Sequence, residues 1–149
     1  MRHTRPTPDE EWTWQCDQAI PSDASACRRL LDDTLRQLET LHWSRRDIFA
    51  VQLAVSEALD NAISHGNLSD ETKRVRFCCR LSPEKIHVEI ADEGHGFDPD
   101  GLPDPTLPDH LGCPHGRGVM LMRAFMSRVK FCKHGSHVVL EKDRGPAGG

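Results

Sequence analysis

Between Ile48 and Ile63 the chain is almost wholly apolar, with Phe49, Val51, Leu53, Val55, Leu59 and Ile63 among its residues. A helix apolar on nearly every side belongs inside a domain rather than on its surface. Yet Glu57, Asn61 and His65 recur at intervals of four, so they stack on one face of that helix. Burying an amide without a partner costs roughly 2–7 kcal/mol, and an unpaired carboxylate costs more. Something polar therefore lies against the stripe, either a satisfied network within the core or a ligand.

The neighbouring segments show what surrounds this helix. Residues 1–11 are polar and proline-bearing and read as a loose arm. Trp12-Thr-Trp14-Gln-Cys16-Asp17 alternates apolar and polar, as a half-buried strand does. Pro21-Ser22-Asp23 predicts a turn into a helix capped by Ser22 or a near neighbour, and Cys27, Leu30, Leu31, Leu35, Leu38 and Leu41 give that helix one apolar stripe. Ser44 and Asp47 form a capping box for the central helix, with Asp in place of the usual Glu, and Gly66 is placed to stop it. Val75, Phe77, Cys79 and Leu81 alternate with Arg74, Arg76, Cys78 and Arg80; after Ser82-Pro83-Glu84-Lys85, Ile86, Val88 and Ile90 alternate again. That is the pattern of an antiparallel hairpin with one face on a core.

Residues 99–114 are rich in proline, and an irregular stretch of that length inside a domain reads as a functional lid. Gly116-Arg117-Gly118 then opens a short, mostly buried helix, followed by a hairpin over 127–133 and 136–142 and a frayed tail. The expected fold is α+β, a two-layer α/β sandwich of about five strands with the helices gathered on one face. One domain over 12–142 accounts for the core, with a lid near 99–115 and a tail from 143 to 149.

Composition narrows the functional classes. A net charge of −4 and a pI near 6.1 argue against binding nucleic acid through bulk positive charge. No apolar run of about 18 residues is present to span a membrane, and the N-terminus lacks the apolar core of a signal peptide. The six cysteines include no CxxC pair, so neither a disulfide framework nor a zinc ribbon is suggested, and a reducing cytoplasm is the expected setting. His110, Cys113 and His115, with His95 nearby, do not match the spacing of a structural zinc site.

Two further motifs bear on ligand chemistry. Asp92-x-Gly94-x-Gly96 falls where a strand gives way to a loop; its glycines let backbone approach a ligand, and its acid can accept a hydrogen bond from an amino group on a planar base. Turns rich in Asp and Gly are common, and the GxGxxG spacing of a dinucleotide site is absent. Gly116-Arg117-Gly118 stands at a helix start, where unpaired amide N–H groups favour phosphate.

Glu57-Ala-Leu-Asp-Asn61-Ala-Ile-Ser-His65-Gly66, Asp92-Glu-Gly94-His-Gly96-Phe97 and Gly116-Arg117-Gly118 together resemble the N, G1 and G2 boxes of the GHKL (histidine-kinase-like) ATPase superfamily. Within it, the chain is most similar to bacterial anti-sigma factors that are also serine/threonine protein kinases. The resemblance implies the Bergerat fold, with a mixed sheet and three helices on one face, binding ATP and Mg²⁺ beneath a lid. It implies Asn61 as Mg²⁺ ligand and Asp92 as acceptor for the adenine amino group. Gly94 and Gly96 would pass close to the base and ribose, and Gly116, Arg117 and Gly118 would meet the phosphates. Glu57 would be the general base for an attacking hydroxyl. His65 could touch a phosphate, but also reads as an ordinary helix-end histidine. Arg28 falls where the family meets its protein partners, and also reads as a solvated arginine.

The partners so implied are an anti-sigma factor antagonist as phosphorylation substrate, a sigma factor to be sequestered, and a second copy in a homodimer. Two alternatives stay open at this point. One is a nucleotide-dependent binding module without phosphotransfer. The other is the ATPase domain of a two-component histidine kinase, ranked last because no phosphoacceptor helical hairpin is expected ahead of the domain.

Overall fold

The computed structural model describes residues 12–94, 114–132 and 136–146, the side chains of 114–116 excepted. In chain order these form β1 (Trp14–Pro21), α1 (Ala24–Thr40), α2 (Arg45–Asp60), a π-helical turn (Asn61–Gly66), β2 (Arg74–Leu81), β3 (Lys85–Ala91), α3 (Pro114–Phe125), β4 (Arg128–Cys132) and β5 (His137–Asp143). The strands make one sheet in the order β1-β2-β3-β5-β4. All four pairings are antiparallel, so the sheet is not mixed as the resemblance implied. The α+β two-layer arrangement stands as expected.

Alternation along the strands builds the core. Val75, Phe77, Cys79 and Leu81 of β2, Ile86, Val88 and Ile90 of β3, and Val138 and Leu140 of β5 share one buried cluster with Leu30 and Leu38 of α1 and with Val51, Val55 and Leu59 of α2. Each such aliphatic side chain, fully buried, contributes roughly 1.5–3 kcal/mol of transfer free energy. The central helix α2 packs on both α1 and α3 and reaches β3 and β5 beneath, so its near-continuous apolar sequence has neighbours on several sides. Phe49 departs from that pattern: it is 57% exposed and meets Phe125 of α3 edge-on at 6.2 Å.

The opposite face of the sheet is polar, because the alternate strand residues are charged. Arg76 pairs with Asp17 across β1 and β2. Glu89 meets His87 at 2.8 Å and His137 at 3.0 Å, while His87 reaches Glu141 at 2.6 Å. Arg128 closes the network on Glu141 and Asp143.

Several ends differ from expectation. β1 runs on to Pro21, beyond Asp17, because the register with β2 continues to Arg74. The cap of α1 is Asp23, a near neighbour of Ser22 as the reading allowed; its carboxylate accepts from the Ser25 N–H, while Ser22 turns away to bond Lys73 O and Asn67. Ser44 caps α2 by accepting from the Asp47 N–H, but the buried Asp47 carboxylate does not return to Ser44 as a full capping box requires. It accepts instead from the Gly145 N–H and faces Lys142. Arg144 bonds Pro83 O and His42 O and lies over the Trp43 ring, so the start of the expected frayed tail is held. α3 begins at Pro114, two residues ahead of the expected start at Gly116. The expected lid lies outside the described residues apart from positions 114 and 115, which enter α3.

Candidate nucleotide site at the end of the central helix

The α2 helix changes geometry where its polar stripe begins to matter. After Asp60 it widens into the π turn Asn61–Gly66, whose exit is marked by the Asn67 N–H donating to Ala62 O at 2.8 Å, five residues back. Single π turns inside α-helices recur at functional sites, since the wider turn re-aims side chains without ending the helix. Asn61 is buried, and its Nδ2 has no hydrogen-bond partner among the described residues. An orphaned buried amide is costly, so its presence points to an external partner. Rotation about the terminal torsion lets the same side chain present its oxygen instead.

Gly118 of α3 stands against this pair. A Cβ at that position would lie 3.2 Å from both Glu57 Oε1 and Asn61 Nδ2. Glycine thus brings the α3 backbone closer to the two side chains than a larger residue would allow. Burial raises the pKa of Glu57 above that of an ordinary glutamate, the Asp60 carboxylate adds to the rise, and Arg117 opposes it. Glu57, Asn61, Arg117 and Gly118, from two segments far apart in sequence, are therefore one group in space.

The Asp92 turn closes on the other end of the helix. A Cβ on Gly66 would lie 2.2 Å from Asp92 Cγ, and one on Gly94 would lie 2.0 Å from Gly66 O. Both distances are within overlap, so the turn and the helix end are in contact only because both residues lack side chains. Asp92 Oδ1 accepts from the Gly94 N–H at 2.7 Å, and the Asp92 N–H donates to Ser136 O. Burial raises the Asp92 pKa, with the Gly94 amide and Lys73 acting against it.

The anticipated nucleotide-site residues among those described fall in this region. His65 lies in the π turn at intermediate exposure. Gly116 falls in the first turn of α3, where amide N–H groups lack partners within the helix, and Gly118 lies just beyond it. Gly96, His95, His110 and Cys113 lie outside the described residues, as does the side chain of His115. Arg28 is exposed on α1 and borders a groove of about 390 Å³ between α1 and α2, shared with Asp32, Gln52, Ser56 and Asp60. One residue with no anticipated role is Asn67, whose fully buried side chain bonds the Glu93 N–H. The signal for it was slight: asparagine following a helix-ending glycine reads as part of a cap.

These residues fit a nucleotide with a divalent ion. The Asn61 amide nitrogen has no partner among the described residues, and turned about its terminal torsion the same amide would offer its oxygen to the ion; Asp92 keeps one carboxylate oxygen not bonded to Gly94 for an amino group.

The family model described as histidine kinase-like ATPase domain matches residues 19–142. Serine/threonine-protein kinase BtrW of Bordetella bronchiseptica is 30% identical over 108 residues, covering 70% of this chain and 76% of BtrW. Serine-protein kinase RsbW of Bacillus subtilis is 31% identical over 94 residues, 59% of each chain. Anti-sigma F factor of Clostridium perfringens strain 13 is 31% identical over 99 residues, 64% of each. The chain thus spans about three quarters of BtrW and about three fifths of the other two. A crystal structure of the RsbU and RsbW domains of Rv1364c from Mycobacterium tuberculosis superposes with a TM-score of 0.59 at 17% identity, covering 91% of this chain and 34% of that one, a likeness of fold. The chain belongs to the histidine kinase-like ATPase family, in the branch that holds serine-protein kinases and anti-sigma factors.

Proposed function

We propose that this chain is an ATP-dependent serine/threonine protein kinase and anti-sigma factor, which phosphorylates an anti-sigma factor antagonist and sequesters a sigma factor. What supports this reading most directly is the placement of Glu57 Oε1 and Asn61 Nδ2 at equal distance, 3.2 Å, from the position a Gly118 Cβ would take. A carboxylate and a metal-competent amide sit side by side where the α3 backbone comes closest. Asn61 would hold magnesium through its amide oxygen, and the ion would supply charge neutralisation for the triphosphate.

The chain's own residues do the rest. Asp92 accepts the adenine amino group through the oxygen not engaged by Gly94. Gly94 and Gly96 admit base and ribose close to backbone. Gly116, Arg117 and Gly118 meet the phosphates, Arg117 as an exposed cation at the helix start. Glu57 receives the proton of the attacking seryl or threonyl hydroxyl. Its raised pKa makes it a better proton acceptor than an exposed carboxylate. Most of the rate comes from positioning and electrostatic stabilisation, as in other phosphoryl transfers. His65 is a further candidate phosphate contact.

Arg28 beside the α1–α2 groove is the docking residue we assign for the protein partners. The protein acts in the cytoplasm and as a homodimer; no helix among the described residues is long and apolar enough to cross a membrane.

The test is incubation of the full chain with Mg-ATP and candidate antagonist proteins encoded beside it, wild type against Glu57→Gln. Phosphate should appear on a partner seryl or threonyl hydroxyl, and Glu57→Gln should lose transfer by about 10²–10⁴-fold while still binding ATP. Equal ATP binding by both proteins without transfer by either would leave a nucleotide-dependent binding module and remove the kinase reading.

A further inference from the structure

The turn that carries Asp92 is fastened to the rest of the molecule by a residue outside all three motifs. Asn67 is 0% exposed, although two of its partners, Arg74 and Glu93, are exposed residues. Its Oδ1 accepts from the Glu93 N–H at 2.8 Å. Its Nδ2 donates to Ser22 Oγ at 2.8 Å and to Arg74 O at 2.9 Å. Its own backbone N–H closes the π turn on Ala62 O. Ser22 Oγ passes the connection on to Lys73 O at 2.9 Å. One side chain thus joins the β1–α1 junction, the start of β2, the exit of the π turn and the residue directly after Asp92.

These bonds are not equivalent. The two from Nδ2 hold strand ends to each other, which any structural asparagine could do. The one to Oδ1 holds the turn, between an Asp92 N–H that is bonded to Ser136 O and a Gly94 N–H that is bonded to Asp92 Oδ1. The Glu93 carboxylate adds a second tie by accepting from the Arg74 N–H. With Gly66 pressed against the Asp92 carboxyl, the direction of that carboxylate depends on where the turn is held. A buried, fully bonded amide defines such a position more sharply than apolar packing does, because partial satisfaction is penalised.

We propose that Asn67 is a positioning residue for purine recognition: by holding the Glu93 N–H it aims the Asp92 carboxylate at the exocyclic amino group of adenine. This rests on the reading of Asp92 as the adenine contact, and the experiment separates the two. Dissociation constants are measured for the full chain with Mg-ATP and with the triphosphate of purine riboside, which lacks the 6-amino group, alongside thermal midpoints. Wild type should prefer ATP by about tenfold, the worth of one well-aimed hydrogen bond to a charged group. Asn67→Ala should lose most of that preference, binding ATP about tenfold more weakly and the analogue within about twofold of wild type. Ser22→Ala removes one Nδ2 acceptor and leaves the bond to Glu93; it should lower the thermal midpoint yet keep the preference.

If Asn67→Ala does not fold, Asn67→Asp keeps an oxygen for the Glu93 N–H, and its ratio of ATP to analogue affinity should stay within about twofold of wild type. A wild type that does not distinguish the two triphosphates overturns the adenine reading, and this inference with it. A discriminating wild type whose preference survives Asn67→Ala, or collapses equally in Ser22→Ala or Asn67→Asp, overturns the role of Asn67 alone.

Discussion

Glu57 combines two properties that follow from where it sits. Burial raises its pKa, Asp60 reinforces the rise and Arg117 limits it. A carboxyl group with a folded pKa above its unfolded value binds protons more tightly in the folded protein. Its contribution favours folding at low pH and is lost as pH rises from the unfolded value through the raised one. Once ionised, Glu57 is therefore a cost to stability, and Glu57→Gln should have a thermal midpoint equal to or above that of wild type. Urea titration at pH 7 checks the same point, and a clear destabilisation would remove the assignment. In kinetics, transfer should fall as pH drops through the raised Glu57 pKa, giving an acid limb above the ordinary glutamate range. Such trade-offs are usual where a charged group is held partly desolvated for function.

Among the elements, the junction of the π turn with the Asp92 turn is the one most exposed to a single substitution. A methyl group on Gly94 would meet Gly66 O at 2.0 Å, a backbone atom that no rotamer change can move. Gly94→Ala should cost about 1–3 kcal/mol of stability, as overpacking does, and should weaken ATP binding. Denaturant titration and nucleotide titration of the same variant check both halves. This junction was only partly legible in the sequence. The intervals of four that align Glu57, Asn61 and His65 placed them on one face, Gly66 read as the helix stop, Gly94 and Gly96 as a close backbone approach, and Gly116 and Gly118 as a helix start. The π turn was not legible, because its residues Asn61–Gly66 read equally well as a last α turn stopped by glycine. Nor was the role of Asn67, whose partners Ser22, Arg74 and Glu93 lie 45, 7 and 26 residues away. Asp47 shows the same limit: the local capping pattern was correct for Ser44, but a contact with Gly145, 98 residues on, claimed the carboxylate. Local periodicity fixes faces and turns, whereas bonds between distant segments are decided by tertiary packing.

Over the molecule as a whole, the sheet divides two kinds of chemistry. Its inner face is apolar and carries the helices; its outer face holds the His87 network with Glu89, Glu141, His137, Arg80 and Arg128. Alternation along the strands announced the inner face, while the outer one was legible only as charge, not as a connected network. Burial of His87 disfavours its charged form, but hydrogen bonds to Glu89 and Glu141 outweigh it, and the net pKa is raised. A raised histidine contributes stability that is fully present below its unfolded value of about 6.5 and is lost as pH rises through the folded value. Thermal midpoints should therefore decline as pH rises beyond neutrality, and His87→Gln should flatten that decline. An unchanged slope in the variant would show that the network does not depend on a charged His87.

The convergence of the central helix, the Asp92 turn and α3 on a single nucleotide is what the proposed activity requires. Calorimetric titration of ATP into the full chain, with magnesium and with the ion chelated, for wild type and Asn61→Ala, tests it most directly. Wild type should take up a single ATP per chain with an affinity that falls when magnesium is removed, and Asn61→Ala should bind weakly whether or not the ion is present. No uptake by wild type, or a magnesium dependence that Asn61→Ala leaves intact, would contradict it.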